Sequence, residues 1–584
     1  MSYTIYINNT KYTVEHECTI LDVAKVHQID IPTLCYLKSI NAPAQCRMCV
    51  VEVSFDTSNI GHIKPITPGK LMTACNTLIA DGMIIYTHSD AVINSRKTTL
   101  ELLLSMHDNH CLSCSKNTKC KLQKLCDTLN INRDVEKMFT PVPIDNSNHA
   151  IVRNVNKCIL CGKCVSICDK NQGCNAVGKI NRGIHTYIGC TSHTDLQHSS
   201  CVGCGQCTLV CPVGALSLDS DIDKALSYLT DPSIITIAMV APAVRVAVGD
   251  DWGYPLGEFV EGKLVTALKQ LGFDYVYDVN NGADFTVIEE GNELVKLIES
   301  SGILNGEQPK PKTFPLFTSC CPAWFNYVEK NFPDYKNNLS STKSPNELLG
   351  SLVRYYIENN PDLFHGKSVK IISIMPCTAK KREILVHGNI DCVITTRELN
   401  KMLVQYGIKL NTLPNSAMDT PFGEYSGAGL IFGSTGGVTE AALRYAMEKL
   451  TNQHVDSFPL VRSSKGIKEV SLDIDGVSIN LAIVHGLRHA QKLMQDIQSG
   501  KKTYHFVEVM ACPGGCVNGG GQPIVDYDKI DVDDVIHARA QSLYNNDSKM
   551  TLKTSQENKS VHDIYENLLH NDFELIHKLM HYTK

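Results

Sequence analysis

At 584 residues the chain is too long for a single hydrophobic core and divides into several domains. With 20% charged and 43% hydrophobic residues it has the composition of an ordinary globular protein, and a net charge of −6 argues against nucleic acid as a partner. The most apolar run, Ser233 to Gly249, is broken by Pro242 and Arg245, which argues against a membrane span. The opening MSYTIYINN has no charged region leading into an apolar one, so a cytoplasmic location is expected.

The 25 cysteines are the unusual quantity, and without a secretory signal they point to metal ligands rather than disulfides. In residues 1–90, YTIYI and KYTVE flank Asn8-Asn9, a hairpin signal. Cys35, Cys46, Cys49 and Cys75 follow. A close Cys pair with one distant Cys on either side is the plant-type ferredoxin arrangement for a 2Fe–2S cluster, although Cys35 and Cys46 stand wider apart than usual. A β-grasp fold is expected here, with zinc as the plain alternative.

Residues 91–140 carry His107, Cys111, Cys114 and Cys120 and little hydrophobic material, so a metal must carry the fold. Zinc suits one His and three Cys equally well by geometry; the electron-carrying neighbours favour a 4Fe–4S cluster. His110 is a rival ligand but sits directly beside Cys111, and Cys126 is spare.

Residues 141–220 hold the one clear internal repeat. Cys158, Cys161, Cys164 and Cys168 share their spacing with Cys201, Cys204, Cys207 and Cys211, the latter followed by Pro212. In such two-cluster ferredoxin runs the fourth Cys crosses to the other cluster. That rule gives Cys158, Cys161, Cys164 and Cys211 to one 4Fe–4S cluster, and Cys201, Cys204, Cys207 and Cys168 to the second.

In residues 221–584 four apolar runs end in reactive residues: IITIAMV at Ala241-Pro242, FPLFTS at Cys320-Cys321, VKIISIM at Pro376-Cys377, and HFVEVM at Ala511-Cys512. Strand-like runs ending in such loops predict a large two-lobed α/β domain with its site beyond the strand ends. Cys320, Cys321, Cys377, Cys512 and Cys516 would meet there; a cubane takes four, leaving one thiol over. Glu290 and Glu293 share a helix face, which on sequence alone reads as a solvated face. The glycine-rich SGAGLIFGSTGG, Ser426 to Gly437, has no dinucleotide-binding context and is expected to let backbone approach the cofactor. After Pro523 only a short helical tail with no recognisable module is expected. Cys18, Cys126, Cys174, Cys190 and Cys392 have no assigned role, Cys392 reading as strand core.

Three loops resemble the signatures of the FeFe hydrogenases: TSCCPAW (Thr318 to Trp324), MPCTAKKRE (Met375 to Glu383) and EVMACPGGCVNGGGQP (Glu508 to Pro523). The module order is similar to that of the large monomeric clostridial type, so the resemblance covers nearly the whole chain. It implies a ferredoxin hydrogenase that interconverts protons and dihydrogen. The implied cofactors are one 2Fe–2S cluster, three accessory 4Fe–4S clusters and an H-cluster, a 4Fe–4S cubane joined to a diiron unit bearing CO, cyanide and a bridging dithiolate amine. Cys321, Cys377, Cys512 and Cys516 would hold the cubane, with Cys516 bridging to the diiron unit; spacing alone does not separate Cys320 from Cys321.

The resemblance further implies Cys320 as proton donor, a relay Glu293–Glu290–Ser340–Cys320, and Lys380 paired with a cyanide. Met375 and Met510 would pack on the diiron unit, with Ala241, Pro242, Ala243, Asn346 and Gly423 also touching the cofactor. Ferredoxin or flavodoxin is the implied electron partner, maturation proteins supply the diiron unit, and a monomer is expected. Departures from the family pattern are Ala243, Ala379, Asn346 and Leu297, the last standing where an Arg flanks the outer proton route, with neighbouring Lys296 expected to substitute; they imply an altered catalytic bias. The rivals are a subunit of a dehydrogenase complex, which the three loops oppose, and an assembly protein or sensor, which the complete loops and the lack of an output module oppose.

Overall fold

The computed structural model describes residues 2–303, 314–462, 466–474, 477–526 and 529–582. The first module is a five-stranded sheet in the order Thr10–Val14, Tyr3–Ile7, Ile84–Tyr86, Val50–Ser54, Lys70–Thr73. Asn8 and Asn9 both take positive φ, which matches the twist of a tight hairpin, and Tyr3 to Ile7 pair with Val14 to Thr10. A helix at Ile20–Val26, capped reciprocally by Thr19 and Asp22, packs on the sheet. The helix Asp90–Ser105 leads out of this module, and its buried Arg96 holds the carbonyl of Val50 at 2.8 Å.

The cysteine repeat folds into two short helices, Lys163–Lys170 and Gln206–Val210. Gly162 and Gly205 precede them at φ 75° and 72°, a left-handed backbone that glycine adopts without cost. Beyond it stand two four-stranded sheets. One is wholly parallel, in the order Tyr275–Asp278, Ile234–Val240, Ser368–Met375, Cys392–Thr395. The other runs Leu316–Phe317, Phe506–Met510, Val477–His485, Ile467–Ile474, with only the last strand antiparallel. Cys392 is buried within the first sheet, as its strand-like surroundings predict.

The parallel strands Ile234–Val240, Leu316–Phe317, Ser368–Met375 and Phe506–Met510 carry at their carboxyl ends the four reactive loops, two from each sheet. The modules are not beads on a string. One buried apolar cluster runs from Ala150, Val202 and Val213 of the repeat to Trp324, Val484 and Val507 of the large domain. Residues beyond Pro523 amount to more than a short tail. The helix Val532–Lys549 is anchored through Arg539 on the Val517 carbonyl at 2.7 Å and on Asp250 at 2.5 Å. A last helix, Phe573–Met580, leads to a bridge between His581 and Thr342.

Candidate active site

The four loops close around a cavity lined by Cys320, Cys321, Cys377, Cys512 and Cys516. Ala241, Pro242, Asn346, Met375, Lys380, Phe432 and Met510 complete much of its wall. None of the 25 cysteines is in a disulfide. Burial pushes the four thiols other than Cys320 upward, Cys377 to about 12. Left as thiols, four such groups gain nothing from this apolar pocket. Coordination to a cationic iron core would keep them deprotonated, and the chain is already arranged for that. Cys321 caps the helix Pro322–Asn331, where backbone N–H groups of Ala323 and Trp324 and of Ala511 oppose the burial effect. Amides of Ala379 and Lys380 do the same for Cys377. The buried Nδ2 of Asn346 has no protein partner in the cavity wall. Donor set and cavity fit an iron–sulfur group that extends beyond a cubane.

Lys380 opens the helix Lys380–His387. Its Nζ donates to Ser344 Oγ at 2.7 Å and Glu383 Oε1 at 2.9 Å, and lies 3.4 Å from the Cys320 carbonyl. Burial opposes its charge, but Glu383, Cys377 and Glu347 together outweigh burial, so the ammonium is kept protonated. It presents a fixed cation to the cavity.

Glu290 and Glu293 lie on the helix Val279–Ser300. Glu290 is 1% exposed, so the solvated-face reading fails for it. Burial first, and Glu293 second, push its carboxyl up to about 8. Burial, and then Glu290, push the Cys320 thiol well above its ordinary range. Ser340 Oγ donates to Glu293 at 2.6 Å and lies close enough to Glu290 to oppose the rise of its carboxyl. The expected order is thereby corrected at its outer end, because Ser340 contacts Glu293 directly. Ser341 was not foreseen, yet its amide donates to Glu293 at 3.0 Å and its hydroxyl bonds the same carboxylate.

Two further expectations are corrected. Gly423 does not line the cavity; a Cβ there would stand 2.5 Å from the Asp419 carbonyl, so it serves packing on residues 418–419. The glycines of residues 426–437 likewise meet protein. Added Cβ atoms would stand 1.8 Å from Ile431 O at Gly437 and 2.5 Å from Asn280 O at Gly429. Of that segment only Phe432 reaches the cavity. Ala243 is buried just behind it, its carbonyl accepting from Gln522 at 2.9 Å.

The accessory cysteines also gather. Cys158, Cys161, Cys164 and Cys211 line one cavity of about 410 Å³, the crossed set that the repeat predicts. Cys168 sits with Cys201, and Cys207 with both. Cys204 lines the large cavity itself. There a Cβ on Gly520 would stand 2.2 Å from the Cys204 carbonyl, so the two backbones touch. The Cys35 and Cys46 side chains lie side by side, as do those of Cys49 and Cys75. Asn41 ties this loop to the repeat through Cys35 O at 2.6 Å and Cys161 O at 3.2 Å.

His107 is buried, its ring is kept neutral by burial that lowers it to about 4, and its Nδ1 has no protein partner. Cys120 lies near Cys114 and Cys111. His110 is instead an exposed partner of Asp108. Among the described residues no three His, Cys, Asp or Glu side chains converge on a single-ion position; clusters of several irons hold their thiolates wider apart.

Residues 234–520 match the family described as iron only hydrogenase large subunit, C-terminal domain, and residues 533–583 the iron hydrogenase small subunit. The second match supplies the module not expected after Pro523. Residues 2–90 match a 2Fe-2S iron-sulfur cluster binding domain, 96–134 the NADH-ubiquinone oxidoreductase-G iron-sulfur binding region, and 196–217 a 4Fe-4S binding domain. The chain is 38% identical to Iron hydrogenase 1 of Clostridium pasteurianum over 99% of both chains. It is also 38% identical to the NADP-reducing hydrogenase subunit HndD of Solidesulfovibrio fructosivorans, over 99% of this chain and 98% of that one. A solved structure of [FeFe]-hydrogenase HydA1 from Chlamydomonas reinhardtii aligns with TM-score 0.53 at 35% identity, covering 62% of this chain and 98% of that one.

Proposed function

Because the chain belongs to the iron-only (FeFe) hydrogenases, enzymes that interconvert protons and dihydrogen at an H-cluster, we propose that its five converging cysteines divide into four cluster ligands and one proton donor. Cys321, Cys377, Cys512 and Cys516 would hold the cubane, with Cys516 the ligand shared with the diiron unit, and Cys320 would be the donor. The single observation that carries this reading is one cavity lined by all five thiols and a buried lysine. When bound, the H-cluster supplies the open metal position at which two electrons and two protons become dihydrogen.

The protein's part is orientation, charge and proton delivery. Lys380, held by Ser344 and Glu383, opposes the negative charge of a cyanide. Met375, Met510, Pro242 and Phe432 shape a water-poor wall. Glu293, Ser340 and Glu290 would pass a proton to the Cys320 thiol, which would present it at the cavity wall to the bound cofactor. Glu290 holds its proton up to about pH 8 and so donates below that value. Its folded pKa is raised, so the stability it lends is present at acid pH and is lost as pH rises through about 8. Hydrogen evolution is expected to fall across the same range, and a pH–rate profile of Glu290→Gln should lose that alkaline limb together with most of the rate.

Electrons enter through the accessory clusters, for which we infer one 2Fe–2S and three 4Fe–4S. Asn41 joins the first module to the Cys158 quartet, and a Cβ on Gly214, close to Cys211, would stand 2.4 Å from Cys114 Sγ, so two input modules meet one relay. Ferredoxin or flavodoxin is the proposed donor, in the cytoplasm, to a monomer loaded by maturation proteins. Among the described residues no helix is long and apolar enough to cross a membrane. Turnover with reduced ferredoxin against turnover that requires an NADP-linked partner decides the donor.

Ala243 and Ala379, both buried beside the site, offer no hydroxyl to it. Restoring one hydrogen bond to a charged group, worth ~1.5–3 kcal/mol, would alter the ratio of evolution to uptake by ~10–100-fold. Film voltammetry of Ala243→Ser/Ala379→Ser is expected to show that change, and an unaltered ratio would remove these two alanines as its cause. The whole assignment is tested by infrared bands of metal-bound CO and cyanide, with turnover, in protein purified with maturation machinery.

A further inference from the structure

A relay that ends at Glu293 still needs an exchange with solvent. Leu297, one turn further along the helix, has no titratable group and packs into an apolar cluster. The Lys296 ammonium lies over the Phe573 ring, 5.8 Å from its centre, so it does not fill the place left at Glu293. A histidine far off in sequence does.

His581 Nδ1 lies 2.8 Å from Ser341 Oγ and 3.9 Å from Glu293 Oε1. Its Nε2 lies 3.0 Å from Glu289 Oε2, and the other oxygen of Glu289 accepts from Tyr565 at 2.5 Å. The His581 side chain is only 8% exposed, but the exposed His577 ring stacks on it at 4.8 Å and 9°. The strand-like bridge to Thr342, and the Tyr582 amide on the Ser341 carbonyl at 2.7 Å, fix the ring in place.

We propose that His581 is the outer proton-transfer residue of this enzyme, passing protons between solvent at the His577 face and Glu293 through the Ser341 hydroxyl. In the evolution direction, protonated His581 gives its Nδ1 proton to Ser341 Oγ as the Ser341 O–H proton passes to Glu293. One N–H and one O–H bond break, two O–H bonds form, and no electron moves. The bare Nδ1 then takes a proton from solvent water, one O–H bond breaking as the N–H bond reforms, while Nε2–H stays on Glu289 and holds the ring's orientation. In uptake the same steps reverse.

The groups that face the ring are Glu289 and Glu293 from the helix Val279–Ser300, Tyr565 from the turn before the last helix, and His577 from that helix. Lys343 is nearby, but its ammonium is engaged by the Leu579 carbonyl at 2.7 Å and Ser351 Oγ at 3.1 Å. The competing route is direct, because the Glu293 side chain is 23% exposed and water could protonate it unaided.

This inference rests on the proposed relay through Glu293, Ser340 and Glu290 to Cys320. His581→Gln keeps a side chain able to hydrogen-bond but not to shuttle a proton. Because Glu293 retains some contact with water, the expected loss of hydrogen evolution is roughly tenfold, below that for a general acid touching the reacting atoms. The pH–rate profile should change, while the CO and cyanide infrared bands and the melting temperature stay those of the wild type. Free imidazole should restore much of the rate to His581→Gly, which a merely structural role would not allow. In histidine-labelled apoprotein, the His581 resonance should shift in Ser341→Ala and in Glu289→Gln. Wild-type turnover of His581→Gln beside an inactive Cys320→Ala would overturn the histidine and leave the inner relay standing; normal turnover of Cys320→Ala would overturn both. A His581→Gly rate that imidazole leaves untouched, or a His581 resonance indifferent to both neighbours, would also overturn the proposal.

Discussion

Cys320→Ala should lower hydrogen evolution by about 10²–10⁴-fold, the range lost when a positioned general acid is removed. The substitution takes one sulfur from the cavity wall and leaves every proposed cluster ligand in place. All iron–sulfur signals and the CO and cyanide infrared bands should therefore match the wild type. No neighbouring group can take over. Glu290 lies behind the thiol, and Lys380 is committed to Ser344 and Glu383. Near-normal turnover of Cys320→Ala, with the infrared bands intact, would remove the thiol from the proton route and with it the relay through Glu290.

Cys516→Ala should have the larger effect, because it removes iron–sulfur bonding rather than a proton. The expected result is loss of the CO and cyanide bands and of all turnover, while electron paramagnetic signals of the accessory clusters persist. The persistence matters as much as the loss. The accessory quartets use other sulfurs, Cys158, Cys161, Cys164 and Cys211 among them, so their signals should not follow Cys516. Retention of the full infrared pattern in this variant would place the bridge to the diiron unit on a different residue.

The cluster chemistry was readable because spacing carries it. The repeat alone gave the crossed set at Cys211, and the four apolar runs that end in Cys or Pro gave strands whose carboxyl ends meet. What spacing does not encode was missed or misplaced. Glu290 and Glu293 look alike on a helix, and only burial in the folded chain raises the first, against the hydrogen bonds from residues 319 and 340 that lower it. Ser340 on Glu293 is a contact across chain segments, which is why the outer end of the relay order came out wrong. His581 reaches Ser341 across 240 residues of sequence, and no local pattern marks it. The glycines at 426–437 signalled close approach correctly, but not what approaches; the neighbours are Asn280, Ile431 and Asp547.

Cys204 belongs to two places at once, a quartet of the repeat and the wall of the catalytic cavity, and its carbonyl presses on Gly520. Electron delivery and the shape of the reaction chamber are therefore mechanically inseparable. Stripping iron from the cluster proposed on that quartet is expected to do more than interrupt conduction: it should slacken one side of the chamber, because a proposed conductor is also part of its masonry.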